Sequence, residues 1–515
     1  MSDQRGTWEK TSATNTAGAL TSIVRRLPAI WRARREAEAL APQLPIEKGP
    51  ANLPDLPQFE SWLQGLCNTE HRRPGTPQGR QAELWVAERL REIGLQNVTQ
   101  DPIAISVWTA HEWSLTVEGK KIPTFHVINT ALTPPEGVTA PLAYVGTGTA
   151  KDFARVEVAG KIVVADVPFP RMPTGLLMKL LRASYVLSDP DRSVSPWSSQ
   201  YLNFVRQNFI GGATTAEEAP ARDVYWQAVR RGAVGVCLIL RDQPTNSNTH
   251  YGPYDGIMKP LPALWVGKED GVRLHTLAKQ GTTATLTLTG TIEPGTMHNI
   301  WGMLPGRSDE TILVTSHHDS PFKGAVEDGA GVVQVLAQAW AWSQVPLEQR
   351  PKTLVFVVDA GHFYGSQGAH DFARRHPEIM RKTRILITLE HLGAKEVTDR
   401  EGRYVPTGRS ALTVMFTSGE PTTIASVIRA LSACPAKNTA SIPSDLIAPV
   451  PTSDASGYVV EAGVPVISWI GCPYYLLDEN DTLDMVDRNE LLPVCRTVTE
   501  LTRLHMAMPE QTVRS

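Results

Sequence analysis

The stretch TILVTSHHDSPFKGAVEDGAG, residues 311–331, joins a short apolar strand directly to histidines and carboxylates. His317 and Asp319 form a His-x-Asp pair, and a carboxylate beside a ligating imidazole commonly fixes its tautomer and raises its basicity. Glu327 and Asp328 follow on a loop, just before a segment with apolar residues at helical spacing. The pattern indicates a metal site at a strand end, although short motifs of this kind also occur by chance in ordinary polar loops.

Two later apolar segments end in the same kinds of residue. The run 353–358 leads into Asp359 and then His362, and the run 384–389 leads into Glu390. In open α/β sheets, ligands bind outside the carboxyl ends of the strands. Three buried strands that bring histidine or carboxylate to that edge therefore predict one shared site.

The composition is that of an ordinary folded protein. At 515 residues, the chain is long enough for two or three domains. Its net charge of -3 provides no basic surface for nucleic acid or an anionic membrane, so we expect neither as a partner. The five scattered cysteines lack CxxC spacing, which argues against a disulfide framework and a thiolate zinc site. With no apolar run long enough for a membrane span and no signal-peptide core, we expect a cytoplasmic protein.

Changes in pattern along the chain predict four parts. Residues 1–50 are polar, then basic and helical, then Pro-rich, and we expect an arm outside the main fold, either solvated or docked on a partner subunit. Residues 51–122 begin the main domain with amphipathic helices. Residues 123–289 contain short strands between Gly turns and predict a β-rich insert. Residues 290–515 alternate strands with helices, which predicts an α/β fold with a mainly parallel twisted sheet covered on both faces.

One segment of the insert, residues 168–222, has no strand pattern. It contains an apolar run, Leu176–Leu187, and an aromatic-rich run, Trp197–Phe209. Long irregular segments are usually lids, binding loops or disordered, and apolar side chains are costly to expose as one patch. We expect a lid over the site or a subunit contact, and a homo-oligomer could form through this insert or through the N-terminal arm.

From about residue 58 onward, the chain resembles the co-catalytic two-zinc exopeptidases, which include bacterial leucyl aminopeptidases, glutamate carboxypeptidases and the transferrin receptor ectodomain. The motifs that resemble the family are HRRPGTPQG, LPALWVGKEDG, HNIWGMLPG, SHHDSPFKGAVEDGAG, DAGHFYGSQGA, LEHLG, SDASGYVVEAGVPV and DENDTLDMVD. The resemblance implies the zinc exopeptidase fold and identifies the β-rich insert as a protease-associated domain.

The resemblance also implies a set of metal ligands. One zinc would be held by His317, by Glu327 as the bridging carboxylate and by Glu390, although the family has aspartate at both carboxylate positions. The second zinc would use Glu327, His362 and the position of Leu477, which has no ligand atom. We therefore expect one tightly bound divalent ion, with His362 either completing that site or holding a second ion.

The family's general base is also replaced. The resemblance places this glutamate at Gly361, or at Asp359 if the motifs are aligned without a gap. Asp328, Asp359 and His362 are the candidate substitutes, and Asp319 would orient the imidazole of His317.

Three further polar positions near these motifs have alternative interpretations. His318 is expected to face a helix, and His391 is expected to point away from the site because alternate residues of a strand face opposite sides. The Ser453-Asp454 loop matches either a substrate pocket or a helix N-cap.

Together these features predict an atypical metal-dependent hydrolase of peptide or small amide bonds, aminopeptidase-like, that uses a metal-activated water. Zinc is the expected ion, and a peptide or small amide is the expected substrate. The alternative is a non-catalytic family member used for binding or assembly. Loss of the family residues at Gly361 and Leu477 favours that alternative, whereas the carboxylates retained at Glu327 and Glu390 oppose it.

Overall fold

The computed structural model describes residues 16–168, 171–172, 186–192, 200–201, 215, 219, 223–444, 451 and 453–510. Most of Leu176–Leu187 and of Trp197–Phe209 lies outside these residues, so the lid or subunit contact stays a prediction.

Helices and strands alternate through most of the described chain. The helices are α1 (Thr16–Leu40), α2 (Leu56–Leu66), α3 (Pro77–Ile93), α4 (Ala150–Phe153), α5 (Val224–Arg230), α6 (Lys268–Lys279), α7 (Ala330–Ser343), α8 (Gln367–Arg375), α9 (Pro377–Lys382), α10 (Pro421–Ala433), α11 (Ala455–Ala462) and α12 (Arg488–Ala507). The strands are β1 (Gln96–Val117), β2 (Lys120–Ile122), β3 (Thr124–His126), β4 (Val138–Tyr144), β5 (Ile162–Val167), β6 (Arg171–Met172), β7 (Val186–Ser188), β8 (Gln200–Tyr201), β9 (Gly235–Leu240), β10 (Ala263–Val266), β11 (Thr283–Leu304), β12 (Thr311–His317), β13 (Thr353–Asp359), β14 (Thr383–Glu390), β15 (Lys395–Arg400), β16 (Arg403–Ser410), β17 (Thr413–Thr417), β18 (Thr439–Pro443) and β19 (Val466–Gly471).

The centre of the main sheet consists of four parallel strands in the order β13-β12-β14-β19. Their continuous apolar runs are buried on both faces, as expected for parallel strands covered by helices. Val314 of β12 belongs to the core that contains α7 and α12, whereas its neighbour Leu313 packs with residues of α8 and α11. The predicted α/β fold with a mainly parallel sheet is therefore confirmed.

A long hairpin joins the main sheet to the β-rich region. β1 and β11 pair in antiparallel fashion over most of their 22 residues each. β11 pairs with β13 at its carboxyl end and with β4 at its amino end, so one hydrogen-bonded sheet continues into β5, β9, β10 and β3. The predicted boundary at residue 289 falls within β11, because the alternating strand pattern continues across it.

The N-terminal helix packs on the main fold. Ile30 and Ala37 of α1 are buried, and α1 contacts α10. Arg429 of α10 donates to the carbonyl of Leu44, and Arg503 Nε donates to the carbonyl of Glu47 at 2.9 Å. The expectation that residues 1–50 form an arm outside the fold is therefore wrong for the part from Ile30 onward. Among the described helices, none is long and apolar enough to cross a membrane.

Part of the 168–222 segment also joins the sheet. β7 pairs in antiparallel fashion with β18 at the edge of the main sheet, and β6 pairs with β8 in a separate two-stranded sheet. These short strands lie in a segment whose sequence has no strand pattern. Strands of two or three residues are too short to produce an alternating sequence pattern.

Candidate active site

The site lies at the carboxyl ends of adjacent parallel strands. His317 ends β12, Asp359 ends β13 and Glu390 ends β14. His317 is directly opposite Asp359 in the strand register, and all three residues are at most 1% exposed. The strand ends therefore bring together three residues that are far apart in sequence.

The loop before α7 places two carboxylates above this edge. The Glu327 backbone is not helical, with φ -98° and ψ 86°, and Asp481 holds the loop by accepting hydrogen bonds from the backbone N–H groups of Val326 and Glu327 at 2.9 and 2.7 Å. The fully buried Arg72 donates to the carbonyls of Gly324 and Glu327. Burial raises the pKa of Asp481 to about 7, although the two backbone hydrogen bonds oppose this shift.

Sequence reasoning did not assign roles to Arg72 and Asp481. They come from the motifs HRRPGTPQG and DENDTLDMVD, which were used for recognition alone. A charged residue that is buried must pair with other polar groups. The presence of Arg72 and Asp481 inside these two motifs was therefore the sequence feature that could have pointed to them.

His317 and His362 lie face to face beside Glu327. Their ring centroids are 4.3 Å apart, with the planes inclined by 9°. Their Nε2 atoms lie 3.6 and 3.7 Å from Glu327 Oε1. His317 Nδ1 is 3.1 Å from the carbonyl of Asp319, and His362 Nδ1 is 2.8 Å from Asp454 Oδ1. Each ring is thus fixed at Nδ1 and directs Nε2 toward the same carboxylate.

His391 enters the same site, contrary to the expectation that it points away. Its Nε2 lies 2.8 Å from Glu327 Oε2, and its Nδ1 lies 2.9 Å from the carbonyl of Gly471. Its backbone N–H donates to Asp328 Oδ1 at 2.7 Å. The strand ends at Glu390, and His391 has a left-handed φ of 55°, so the alternation of strand side chains no longer applies.

Two of the proposed base substitutes are engaged by hydroxyl donors. Asp328 Oδ2 accepts from Ser316 Oγ at 2.5 Å. The hydroxyl of Tyr458 lies 2.8 and 3.0 Å from the two carboxylate oxygens of Asp359. Burial is the main cause of the raised pKa of both Asp328 and Asp359. Neither carboxylate is therefore well placed to take a proton from a water at the histidines.

Asp319 lies beside His317, whereas His318 contacts strand β11 rather than the helix expected from the sequence. Asp319 Oδ1 is 3.6 Å from His317 Nδ1, and the Asp319 carboxylate also accepts from the backbone N–H groups of His362 and Phe363 at 3.4 Å. His318 Nε2 lies 2.9 Å from the carbonyl of His298, away from the cluster. Asp319 thus orients the cluster, and His318 is packed behind it.

The donor atoms fit a divalent cation. Buried atoms of this cluster that have no hydrogen-bond partner are His317 Nε2, Glu327 Oε1, Glu390 Oε2, His391 Nε2 and Asp454 Oδ2. Three overlapping groups have their donor atoms within 4.8 Å of one another, namely His317/Glu327/His362, His317/Glu390/His391 and His362/Glu390/Asp454. Each buried polar atom without a partner costs about 1–3 kcal/mol, which a bound ion would offset. Imidazole nitrogens with carboxylate oxygens are typical zinc ligands.

The comparison with protein families identifies this domain. Residues 299–502 match the model of Peptidase family M28. We refer to this segment as the M28 domain, after the family whose model it matches. The predicted resemblance to the co-catalytic zinc exopeptidases is therefore confirmed, whereas the protease-associated character of the insert stays a prediction. A comparison with the curated proteins finds no match.

Solved structures share the fold of the M28 domain and its flanking regions. BSAP, a zinc aminopeptidase from Bacillus subtilis, is 20% identical, with a TM-score of 0.62 over 87% of this chain and 95% of that one. A peptidase M28 precursor from Shewanella amazonensis SB2B is 19% identical, with a TM-score of 0.64 over 94% and 99% of the two chains. An aminopeptidase from Aneurinibacillus sp. strain AM-1 is 19% identical, with a TM-score of 0.58 over 89% and 95%. At these identities, the similarity establishes the fold, and the family match supports a peptidase-like hydrolase.

Asp454 is part of the M28 site, although its loop had two sequence interpretations. Asp454 itself makes no capping hydrogen bond with α11, whereas Ser453 Oγ accepts from the backbone N–H of Ala455 at 3.2 Å. Its side chain contacts His362 Nδ1 and accepts from Ser366 Oγ at 2.5 Å, and its backbone N–H donates to Glu390 Oε1 at 3.1 Å. Asp454 therefore links His362 to Glu390.

The surroundings in the M28 site shift the pKa values of its two glutamates in opposite directions. Burial alone would raise the pKa of Glu327, but His391, His362 and His317 lower it to about 2. Burial and, to a smaller extent, the charge of Asp454 raise the pKa of Glu390 to about 8. Glu327 is thus held as an anion among imidazoles, whereas Glu390 faces another carboxylate.

The β-rich region covers the M28 site from one side. The ring of Tyr254 stacks on His362, with centroids 5.0 Å apart and planes inclined by 25°. The backbone N–H of Tyr251 donates to the carbonyl of Leu477 at 2.9 Å. Leu477, where the sequence resemblance placed the family's final histidine ligand, is buried with φ 67°.

Proposed function

We propose that the M28 domain hydrolyses peptide or small amide bonds with a divalent metal ion, most simply zinc. The observation that supports this proposal is the convergence of buried donor atoms without partners at the carboxyl ends of β12 and β14. A polar interior of this kind is costly unless a ligand satisfies it. The surrounding cover, including Tyr254 stacked on His362, favours a short peptide or small amide as substrate.

The residues that would hold the ion are His317, His362 and Glu327. When bound, zinc lowers the pKa of a coordinated water to about 7 and polarises a substrate carbonyl. Asp319 and Asp454 lie at the Nδ1 sides of His317 and His362. They orient the two rings so that the Nε2 lone pairs face the ion.

Glu390 is the side chain best placed to move the proton. Its Oε1 accepts from the backbone N–H of Asp454, and its buried Oε2 has no partner. Glu390 would take a proton from the attacking water as the new carbon–oxygen bond forms. It would then return that proton to the leaving nitrogen as the carbon–nitrogen bond breaks. This role replaces the expectation that Glu390 is a ligand and that Asp328, Asp359 or His362 is the base.

The direct test is cleavage of aminoacyl p-nitroanilides and dipeptides by the purified chain before chelation, after chelation and after addition of zinc. We expect cleavage that chelation removes and zinc restores, and that is absent in His317→Ala. Cleavage that persists unchanged after complete metal removal would contradict the proposal.

A second candidate is a non-catalytic M28 domain used for binding or assembly. The observation in its favour is that Gly361 and Leu477 replace the family's base and a metal ligand. Tight binding of zinc without cleavage of any amide or dipeptide in a broad panel would favour this function over hydrolysis.

A further inference from the structure

We propose that His391 is a metal ligand that replaces the imidazole which the two-zinc family pattern places at Leu477. A single ion would then be held by His317, His362, His391 and Glu327. This inference rests on the proposed metal-dependent function and specifies a ligand set that differs from the pattern of the resemblance.

The hydrogen bonding of His391 defines the direction of its lone pair. Its Nδ1 lies 2.9 Å from the carbonyl of Gly471, and a carbonyl can only accept, so Nδ1 carries the hydrogen. In the neutral ring, Nε2 then has its lone pair directed at Glu327 Oε2, 2.8 Å away. Nε2 has no hydrogen-bond partner in the described structure. Two electron-rich atoms this close need a proton or a metal cation between them, and a bound metal ion would take the place of the proton.

The separations around Glu327 suit a single ion. Two ligand atoms bound at 2.0–2.1 Å with a tetrahedral angle lie about 3.3 Å apart. The Nε2 atoms of His317, His362 and His391 lie 3.6, 3.7 and 2.8 Å from the carboxylate oxygens of Glu327. The first two distances are to Oε1 and the third is to Oε2, so an ion held by all three imidazoles would contact both oxygens of the Glu327 carboxylate.

The backbone around His391 holds this orientation. A left-handed conformation in a residue other than glycine costs about 1–3 kcal/mol and persists only where the surroundings impose it. His391 has φ 55°, and its N–H donates to Asp328 Oδ1 at 2.7 Å. A Cβ atom on Gly471 would lie 2.4 Å from the His391 carbonyl oxygen, so this close approach requires glycine. Such an arrangement is typical of a residue positioned for function.

The first experiment counts imidazoles in the unaltered protein. Cu²⁺ would be added to the metal-free chain, and pulsed electron paramagnetic resonance would count the remote ring nitrogens coupled to the ion. We expect three coupled imidazoles. Two or fewer would overturn the assignment of His391, and this result does not depend on whether any variant folds.

The second experiment compares His391→Gln with His318→Gln as a matched control, because His318 is an adjacent buried histidine directed at the carbonyl of His298. Zinc affinity would be measured by competition with a chromophoric chelator. Loss of an outer hydrogen-bond partner of a ligand costs about 10- to 100-fold in affinity, so loss of the ligand should cost at least 100-fold. The control should change affinity by less than about 10-fold.

The failures of the two proposals are distinguishable. If the unaltered chain binds zinc and cleaves amides while His391→Gln keeps its affinity, the ligand assignment is wrong and the proposed function stands. If the unaltered chain binds neither Zn²⁺ nor Cu²⁺, both are wrong. Partial recovery of affinity when Leu477→His is added to His391→Gln would support the replacement directly.

Discussion

Glu327 and Glu390 occupy the same edge of the sheet, and the sequence resemblance places both at aspartate positions of the family, yet their surroundings are opposite. Glu327 is within 4 Å of three imidazoles, which lower its pKa to about 2. Glu390 lies beside Asp454, and burial with that negative charge raises its pKa to about 8. Chemical identity therefore does not define the role of a carboxylate here. Its neighbours make Glu327 suited to bind a cation and Glu390 suited to exchange a proton.

Replacement of Glu327 should have the largest effect. Glu327→Gln removes the negative charge that faces the Nε2 atoms of His317, His362 and His391. We expect zinc affinity to fall by more than 100-fold, beyond the 10- to 100-fold cost of losing an outer partner. Chelator competition would measure it, with His318→Gln as the control. Full affinity in Glu327→Gln would remove the contrast between the two glutamates.

Replacement of Glu390 should affect the rate rather than the metal. A positioned general base typically contributes 10²- to 10⁴-fold, so Glu390→Gln should lower kcat by about that factor. Zinc affinity should stay within about 10-fold of the unaltered chain. Steady-state kinetics with a p-nitroanilide substrate would be measured alongside chelator competition.

The control for this prediction is Asp359→Asn, because Asp359 already accepts from Tyr458 and asparagine can still accept that hydrogen bond. It should keep kcat within about 10-fold. If Glu390→Gln lost zinc affinity and kept its kcat, Glu390 would be a metal ligand, as expected from the sequence. A large loss of kcat in Asp359→Asn would instead identify that residue as the base.

The hydrogen bonds by which Asp481 holds the loop before α7 can be tested separately from the metal binding of that loop. Asp481 accepts from the N–H groups of Val326 and Glu327, and asparagine would turn an N–H₂ group toward one of them. Asp481→Asn should lower the free energy of unfolding by about 1–3 kcal/mol, the cost of a buried group left without its partner. Denaturant unfolding of the metal-free chain would measure this, with Asp484→Asn on the exposed side of the same segment as the control. Unchanged stability would show that the loop does not need this support.

The sequence predicted the strand ends well for a physical reason. Long apolar runs such as 353–358 can only be buried strands or helices, and polar residues at their ends must meet at one sheet edge. His317, Asp359 and Glu390 were found in this way. His391 was missed because its side-chain direction depends on a left-handed φ beyond the end of the strand.

Other features depend on contacts that no local pattern contains. Asp481 reaches Glu327 across 154 positions. The docking of α1 depends on a few small apolar residues, such as Ala37, within a basic segment, so its pattern resembled a solvated helix. The continuous β11 was divided at residue 289 because the composition changes there while the strand does not end.

The smallest expected effect concerns two buried histidines, His391 inside the site and His505 outside it. Burial lowers the pKa of His391, but Glu327 outweighs it and raises that pKa to about 10. Burial and, to a smaller extent, the charges of Arg384 and Lys352 lower the pKa of His505 to about 3. His505 is on α12, and its Nε2 lies 3.1 Å from Ser426 Oγ of α10. Without a carboxylate partner, this ring stays neutral in the folded chain.

The sign of the pH dependence follows from this shift. Below a pKa of about 6.5, the unfolded chain takes up a proton at His505 that the folded chain does not, so stability is lost as the pH falls from 6.5 toward 3. The loss from this residue should be about 2 kcal/mol at pH 5, at 1.36 kcal/mol per unit. Denaturant unfolding of the metal-free chain at pH 7 and pH 5 should show it, and His505→Gln should reduce the difference by about that amount. An equal difference in both chains would mean that burial of His505 does not keep its ring neutral, and would weaken the contrast with His391.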